Sequence, residues 1–112
     1  MRSKAFVEPV LLGEHDIVVP SIFVVEVVAA LSRAGIPRAK AFEYSEIFLC
    51  RASVVRLGPK GARRASRIAE AAKLRGMDAI YVWVAQREGI PLVTLNRELS
   101  GRTEGLCEVI IP

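Results

Sequence analysis

Runs of apolar residues divide the first part of the chain into a strand and a helix. The segment DIVVPS (16–21) predicts a buried strand that stops at Pro20, because its centre is continuously apolar. Ser21 is a candidate N-cap for the segment that follows. That segment, IFVVEVVAALSRAG (22–35), predicts a helix that ends at Gly35, a favoured residue just beyond a helix end.

The middle of the chain predicts a second helix and a short strand. Pro37 suits the first turn of a helix that continues through RAKAFEYSEIFLC (38–50). The segment SVVRL (53–57) is a strand candidate, and GPKG (58–61) breaks the chain after it.

Two further helices and two strands are predicted in the second half. ARRASRIAEAAKLRG (62–76) has the pattern of an amphipathic helix, and residues 78–88 are apolar nearly all round, which predicts a buried helix. PLVTL (91–95) and CEVII (107–111) are the last strand candidates. The apolar face of the first of these helices is predicted to hold Ala62, Ala65, Ile68, Ala69 and Ala72.

The order of these elements predicts an α/β fold with a mainly parallel central sheet flanked by helices. The near-continuous apolar strands agree with this prediction, because parallel strands are covered on both faces. Ligands of such sheets bind beyond the carboxyl ends of the strands. This rule predicts three candidate ligand-binding positions: the helix start after IVVP, the helix start at Asp78 and the loop after PLVTL.

Composition and charge narrow the possible classes of protein. The chain has 112 residues, 52% of them hydrophobic, which predicts one small domain with a real core. The net charge of +4 permits contact with nucleic acid without proving it. A basic stretch could follow a phosphate backbone, but such a stretch is more often the solvated face of a helix. It contains Arg51, Arg56, Lys60, Arg63, Arg64 and Arg67.

Cysteine usage and hydropathy bear on the compartment. The two cysteines, Cys50 and Cys107, form no CxxC motif, so a metal cluster or redox motif is not supported. The chain has no secretory signal pattern and no apolar run long enough to span a bilayer. These features favour a cytoplasmic protein with reduced thiols, and a disulfide stays possible for a hyperthermophile.

Glu26 is the most informative single residue, because it lies among apolar neighbours in IFVVEVVAAL. An unpaired buried carboxylate costs several kcal/mol, so Glu26 must reach water, a cation or a donor. One interpretation is therefore a ligand. The other is a solvent-facing stripe formed by Ile22, Glu26, Ala29 and Arg33.

Asp78, Thr94 and Asn96 each have an ordinary structural explanation as well. Asp78 directly precedes the buried helix and is a candidate N-cap, although Tyr81 at the third helical position would complete no capping box. Thr94 and Asn96 could form a turn, and Asn96 could cap the next helical turn. Taken together with Glu26, these oxygen-bearing side chains suit Mg²⁺ or Mn²⁺, which can activate water for hydrolysis of a phosphodiester.

Three segments resemble the PIN-domain family, especially the VapC toxins of prokaryotic toxin–antitoxin pairs. They are IVVPSIFVVEVVAALSRAG (17–35), GMDAIYVWVAQREGIPLVTLNREL (76–99) and VIIP (109–112), and the match runs from about residue 16 to the end. The resemblance implies a three-layer PIN-like fold and a metal-dependent ribonuclease with acidic residues at the carboxyl edge of the sheet. It also implies an RNA substrate, an antitoxin partner and a homodimer.

Carried over by position, the resemblance assigns catalytic and metal-binding roles to Glu26 and Asp78. Thr94 matches the Thr of the family's T-x-D turn. It is expected either to contact the substrate or to support the metal ligands without binding the metal itself. Asn96 falls where that turn has Asp, and it is expected to bind metal through its neutral carbonyl oxygen.

The resemblance also implies a first strand that ends in a metal-binding Asp, which this sequence lacks. SKAFVEP (3–9) resembles the segment after that Asp. We therefore expect a single domain over residues 1–112 that is truncated at its N-terminus, with an upstream reading frame that encodes the strand. AFVEPVLL (5–12) could fill part of the gap, and Glu14 and Asp16 are poor substitutes because they precede a strand.

Two carboxylates from a pattern of three or four predict weak metal binding and weak or absent cleavage, since cation affinity depends on the number and charge of the ligands. The alternative is a non-catalytic PIN-like module that binds an antitoxin or RNA.

Overall fold

The computed structural model describes residues 17–94 and 96–111. These residues form two compact units, residues 17–56 and residues 57–111. The predictions for Glu14, Asp16 and the segments 3–9 and 5–12 lie outside the described residues.

The first unit is a strand–helix–helix–strand arrangement. Its two strands pair in parallel, with Ile17 opposite Ala52 and Pro20 opposite Val55. This pairing confirms the parallel α/β pattern that the apolar strands predict. The elements are β1 (Ile17–Pro20), α1 (Phe23–Arg33), α2 (Arg38–Arg51) and β2 (Ala52–Val55).

Ser21 does not cap α1, so that prediction was wrong. The residue before the helix is Ile22, which already has a helical backbone, and no side chain caps the helix start. The backbone N–H of Ser21 donates instead to the carbonyl of Val55 at 3.0 Å. This bond continues the parallel pairing one residue beyond Pro20, whose own ring nitrogen has no hydrogen to donate.

Gly35 ends α1 as predicted. Its φ is +83°, a conformation that glycine adopts without steric cost. The N–H of Gly35 donates to Ser32 O and the N–H of Ile36 donates to Leu31 O, both at 3.0 Å. These two bonds form a Schellman motif, which satisfies carbonyls at the helix end.

The second unit holds three helices and a second parallel pair of strands. The pair joins Leu92 to Val109 and Val93 to Ile110. The elements are α3 (Pro59–Ala72), α4 (Gly76–Glu88), β3 (Leu92–Val93), α5 (Arg97–Arg102) and β4 (Val109–Ile110). The two strands are shorter than predicted, and the sequence pattern did not predict α5 as a separate helix.

The break predicted after the strand is confirmed at residues 56–58, but it is shorter than GPKG (58–61), because α3 begins at Pro59. Proline is well suited to the first helical position, where its missing N–H would have no partner within the helix. Gly61 and Ala65 are the buried residues of this helix. Ala62, which was predicted to lie on the apolar face, is exposed.

The helix predicted to be buried, α4, supplies much of the core of the second unit. Five of its residues are buried: Ala79, Val82, Trp83, Val84 and Ala85. Val82 and Ala85 pack with Leu92 and Leu99 in one cluster. An apolar pattern all round a helix therefore correctly predicted its burial.

Gly61 brings α3 very close to α4. A Cβ atom built on Gly61 would lie 2.6 Å from Cη2 of Trp83 and closer still to Cζ2. The rigid indole ring therefore occupies the space of the missing side chain. Glycine at this position is a packing requirement, although it is not favoured inside a helix.

The two cysteines of the chain, Cys50 and Cys107, are both free thiols. Partial burial raises the pKa of Cys107. Within the described ranges, no helix has the length and apolar character needed to cross a membrane.

Replacing Lys73 by glycine is expected to stabilise the protein by roughly 0.5–1 kcal/mol. Lys73 follows α3 with φ +55°, and it is the one non-glycine residue with positive φ among those described. Its ion pair with Glu70 spans 3.4 Å between exposed side chains, so its loss costs little. The control Lys73→Ala removes the same ion pair and keeps the strained backbone. In chemical denaturation, the glycine variant should have a higher free energy of unfolding than the wild type. The wild type should be at least as stable as the alanine variant. Equal stability of the glycine and alanine variants would show that the positive φ of residue 73 does not strain the backbone.

Candidate functional site

Glu26 lies in the first turn of α1, close to the carboxyl end of β1. Its side chain is half-buried, whereas the neighbouring Val25 is 66% exposed. Of the proposed solvent-facing stripe only Arg33 is exposed, and Ile22, Glu26 and Ala29 are all half-buried. The stripe interpretation therefore does not account for Glu26.

Asp78 is not the N-cap of its helix, so the capping prediction was wrong. The helix starts at Gly76 and its N-cap is Arg75, whose backbone is extended. The carbonyl of Arg75 accepts from the N–H of Ala79 at 3.0 Å, which is the first bond of the helix. Asp78 is the third helical residue, where the positive end of the helix dipole favours a carboxylate.

Asp78 is half-buried as a residue, and its carboxylate makes no hydrogen bond or ion pair with the residues that the structure describes. A nearby cation stabilises the charged form of a carboxylate that has no other charged partner. This environment is compatible with a role in binding a cation.

Thr94 and Asn96 form a connected turn between β3 and α5. The N–H of Thr94 donates to Ile110 O at 3.1 Å, which extends the parallel pairing past Val93. The hydroxyl oxygen of Thr94 accepts from the N–H of Asn96 at 3.1 Å. Thr94 therefore fixes the backbone from which Asn96 projects.

Asn96 caps α5, which confirms the capping interpretation of this residue. Its Oδ1 accepts from the N–H of Glu98 at 3.0 Å and from the N–H of Leu99 at 3.2 Å. An amide oxygen has two lone pairs, and both are directed to these donors. The other terminal atom is a nitrogen that can only donate. A metal-binding role for Asn96 stays a prediction, and it would require the oxygen to leave the cap.

The predicted site residues are distributed over both units. Glu26 belongs to the first unit, and Asp78, Thr94 and Asn96 belong to the second. Within residues 17–94 and 96–111, no three His, Cys, Asp or Glu side chains are grouped so that they could hold a metal ion. The convergence of Glu26, Asp78 and Asn96 at one sheet edge therefore stays a prediction.

A basic face of α3 was only partly predicted from the sequence. Lys60, Arg63, Arg64 and Arg67 are spaced by three and four residues, the spacing of one helix face. The predicted helix start at Ala62 left Lys60 in a loop, whereas the true start at Pro59 places it on the helix. Pro59 at a first helical position was the signal that could have identified the whole face.

Comparison with known families gives a match over most of the chain. The family model of the PIN domain matches residues 2–103, a range that includes Glu26, Asp78, Thr94 and Asn96. No curated protein matches the chain. The family match agrees with the helix-rich α/β architecture and its parallel strands.

Proposed function

The chain belongs to the PIN-domain family, and from this premise we propose that it is a metal-dependent ribonuclease that cleaves RNA slowly. The observation that carries the proposal is the family match over residues 2–103. It is supported by two half-buried acidic residues, Glu26 and Asp78, at positions where the resemblance assigns acidic ligands.

The chemistry of these donors suits a hard divalent cation such as Mg²⁺ or Mn²⁺. Glu26 and Asp78 would hold it and contribute two negative charges. When bound, the cation would activate water and stabilise the negative charge that develops on the phosphate. The described carboxylates alone do not form a group of three, so the proposal includes weak binding of the cation.

Thr94 has a positioning role in this proposal. Its hydroxyl oxygen accepts from the N–H of Asn96 and so holds the turn that leads into α5. Asn96 in turn caps that helix with its side chain. The pair would set the position of the backbone beside the bound substrate.

The test is cleavage of a labelled single-stranded RNA with Mn²⁺ and with Mg²⁺. We expect slow cleavage that EDTA stops and that Glu26→Gln and Asp78→Asn each abolish, because each substitution removes one of the two proposed ligand charges. The matched controls are Glu46→Gln and Glu104→Gln, which neutralise exposed carboxylates outside the site. Cleavage that persists in EDTA, or that all four variants share equally, would contradict the proposal.

A non-catalytic module is the second candidate function. The observation that favours it is the engagement of Asn96 Oδ1 by two backbone N–H groups, which leaves no free oxygen on that side chain. Such a module would bind RNA or an antitoxin without cleaving RNA. RNA binding without cleavage, even with Mn²⁺ in excess, would favour this candidate over the nuclease.

The resemblance to VapC toxins extends the proposal to partners. We propose a cytoplasmic toxin-like protein that pairs with an antitoxin and forms a homodimer. Light scattering of the purified protein tests the dimer, and co-purification with the product of an adjacent gene tests the antitoxin. A monomer at micromolar concentration would contradict the dimer.

A further inference from the structure

Four basic residues form a continuous row on one face of α3. They are separated by three and four residues, so their side chains follow one another along the helix. We call this row the α3 stripe, and it consists of Lys60, Arg63, Arg64 and Arg67. It extends over about 10 Å, because each helical residue advances the axis by about 1.5 Å.

The α3 stripe faces outward from the second unit. All four of its residues are exposed. The opposite face of the helix carries Gly61 and Ala65, which are buried, and Gly61 lies against Trp83 of α4. The helix is therefore anchored through one face and presents a cationic row on the other.

The residues of the α3 stripe have no carboxylate partner among the described residues. Elsewhere Lys40, Lys73, Arg87 and Arg102 each lie within 3.7 Å of a glutamate carboxylate. The acidic residue of α3 itself, Glu70, pairs with Lys73 beyond the end of the helix. Like charges at these spacings repel and destabilise a helix. An external polyanion would remove that repulsion.

The geometry points to the phosphate backbone of single-stranded RNA as the polyanion, and we propose that the α3 stripe is its binding surface. The choice of RNA rests on the proposed function of the chain. A row of cations matches a row of phosphates, and the three arginines can each bond a phosphate through two N–H groups. No aromatic residue is interleaved in α3, so binding is expected to be independent of base sequence.

An acidic protein is a poorer fit to the same surface. Stable protein interfaces have an apolar centre with large anchoring side chains. The large hydrophobic residues exposed on the described chain are Val25, Phe42, Tyr44, Ile47, Val54, Met77 and Val93, and none of them lies on α3. The face of α3 that carries the stripe is therefore charged but has no large exposed apolar side chain that could anchor a protein partner.

The test measures binding of fluorescein-labelled polyuridylate by anisotropy, in EDTA so that cleavage does not interfere. The test variant is the triple substitution Arg63→Gln, Arg64→Gln and Arg67→Gln. The matched control is the triple substitution Arg33→Gln, Lys40→Gln and Lys73→Gln, which also replaces exposed cations. Each triple lowers the net charge from +4 by three, to +1.

The α3 variant should bind at least about tenfold more weakly than the wild type, because three phosphate contacts are lost. The slope of log affinity against log salt should fall by about 2, since each contact contributes about 0.7 on a single strand. The control triple should stay close to the wild type. Circular dichroism melts of the α3 variant should show an unchanged or higher midpoint, because the substitutions relieve repulsion.

Equal weakening by both triples would overturn the inference in favour of a general charge effect. Unchanged binding by the α3 variant, or no binding by the wild type, would overturn it as well. Binding of polyglutamate, measured in the same way, serves as the test for an acidic protein partner. If the α3 variant loses binding to polyglutamate but keeps binding to RNA, the surface is assigned to an acidic protein. Cleavage of RNA with Mn²⁺ is measured separately from binding. If the protein cleaves RNA and the α3 variant binds RNA as well as the wild type does, only this inference is rejected. If RNA binding depends on the α3 stripe and no cleavage occurs, only the proposed nuclease activity is rejected.

Discussion

Replacing Gly61 by alanine is expected to lower the free energy of unfolding by roughly 1–3 kcal/mol, the usual cost of overpacking a core. The new methyl group would lie 2.6 Å from Cη2 of Trp83, well inside van der Waals contact. Alanine favours a helix over glycine by about 1 kcal/mol, which offsets part of the cost. Gly61→Val should cost more, because its branched side chain meets the same ring. Thermal and urea unfolding measure both effects.

Gly101→Ala is the matched control for this contact. Gly101 lies within α5, and a Cβ atom built on it would meet no heavy atom of the described residues within 4 Å. The same substitution there should stabilise the protein by about 0.5–1 kcal/mol, because only the conformational gain remains. A Gly61→Ala variant that is as stable as Gly101→Ala would show that the two helices separate without cost.

A double-mutant cycle isolates the contact itself. Trp83→Leu removes the ring atoms that a Cβ atom on Gly61 would meet. In that background Gly61→Ala should be neutral or stabilising, although Trp83→Leu alone destabilises the core. The expected coupling is about 1–3 kcal/mol, as for other residues in direct contact. Additive effects of the two substitutions would contradict direct packing.

Replacing Asn96 by aspartate is expected to raise affinity for Mn²⁺ about tenfold or more, since the number and charge of the ligands set cation affinity. One oxygen of the new carboxylate can accept from Glu98 N–H and Leu99 N–H, as Oδ1 of Asn96 does now. The second oxygen replaces a nitrogen that can only donate. Calorimetric titration with Mn²⁺ measures the affinity, and RNA cleavage should increase with it.

Asn96→Ser provides the control for the capping function. Serine can accept from the same N–H groups, so helix α5 should persist, but it brings no charge. Stability should therefore be similar in the asparagine, serine and aspartate proteins, while only the aspartate protein gains Mn²⁺ affinity. An Asn96→Asp protein with unchanged Mn²⁺ affinity would place residue 96 outside any cation site.

Sequence patterns predicted the long elements well and the local helix starts poorly. The apolar run of β1 and the glycine that ends α1 correspond to strong local preferences, so both were predicted within a residue or two. The start of α4 was placed at Asp78 because aspartate favours the N-cap. The helix instead begins at Gly76, where Arg75 supplies an extended backbone. A backbone cap of this kind has no side-chain signature.

The short elements of the second unit were the least predictable part of the fold. Helix α5 has six residues, which is too short to show an apolar period. The one residue whose type indicates this helix is Asn96, and the sequence was compatible with Asn96 either in a turn or as a helix cap. Glu26 was singled out because an acid among apolar residues needs an explanation. No local pattern could say how far it lies from Asp78, because the two residues belong to different units.

The contact between α3 and α4 also gives the protein a built-in optical reporter. The chain has a single tryptophan, and it is Trp83. Trp83 is 7% exposed, and the guanidinium of Arg87 lies 5.8 Å from the centre of its ring. Intrinsic fluorescence excited at the indole band therefore reports on the surroundings of Trp83, which belongs to the second unit, whereas far-ultraviolet dichroism reports on the helices of both units. Coincident unfolding curves from the two signals would mean that the two units unfold as one cooperative system.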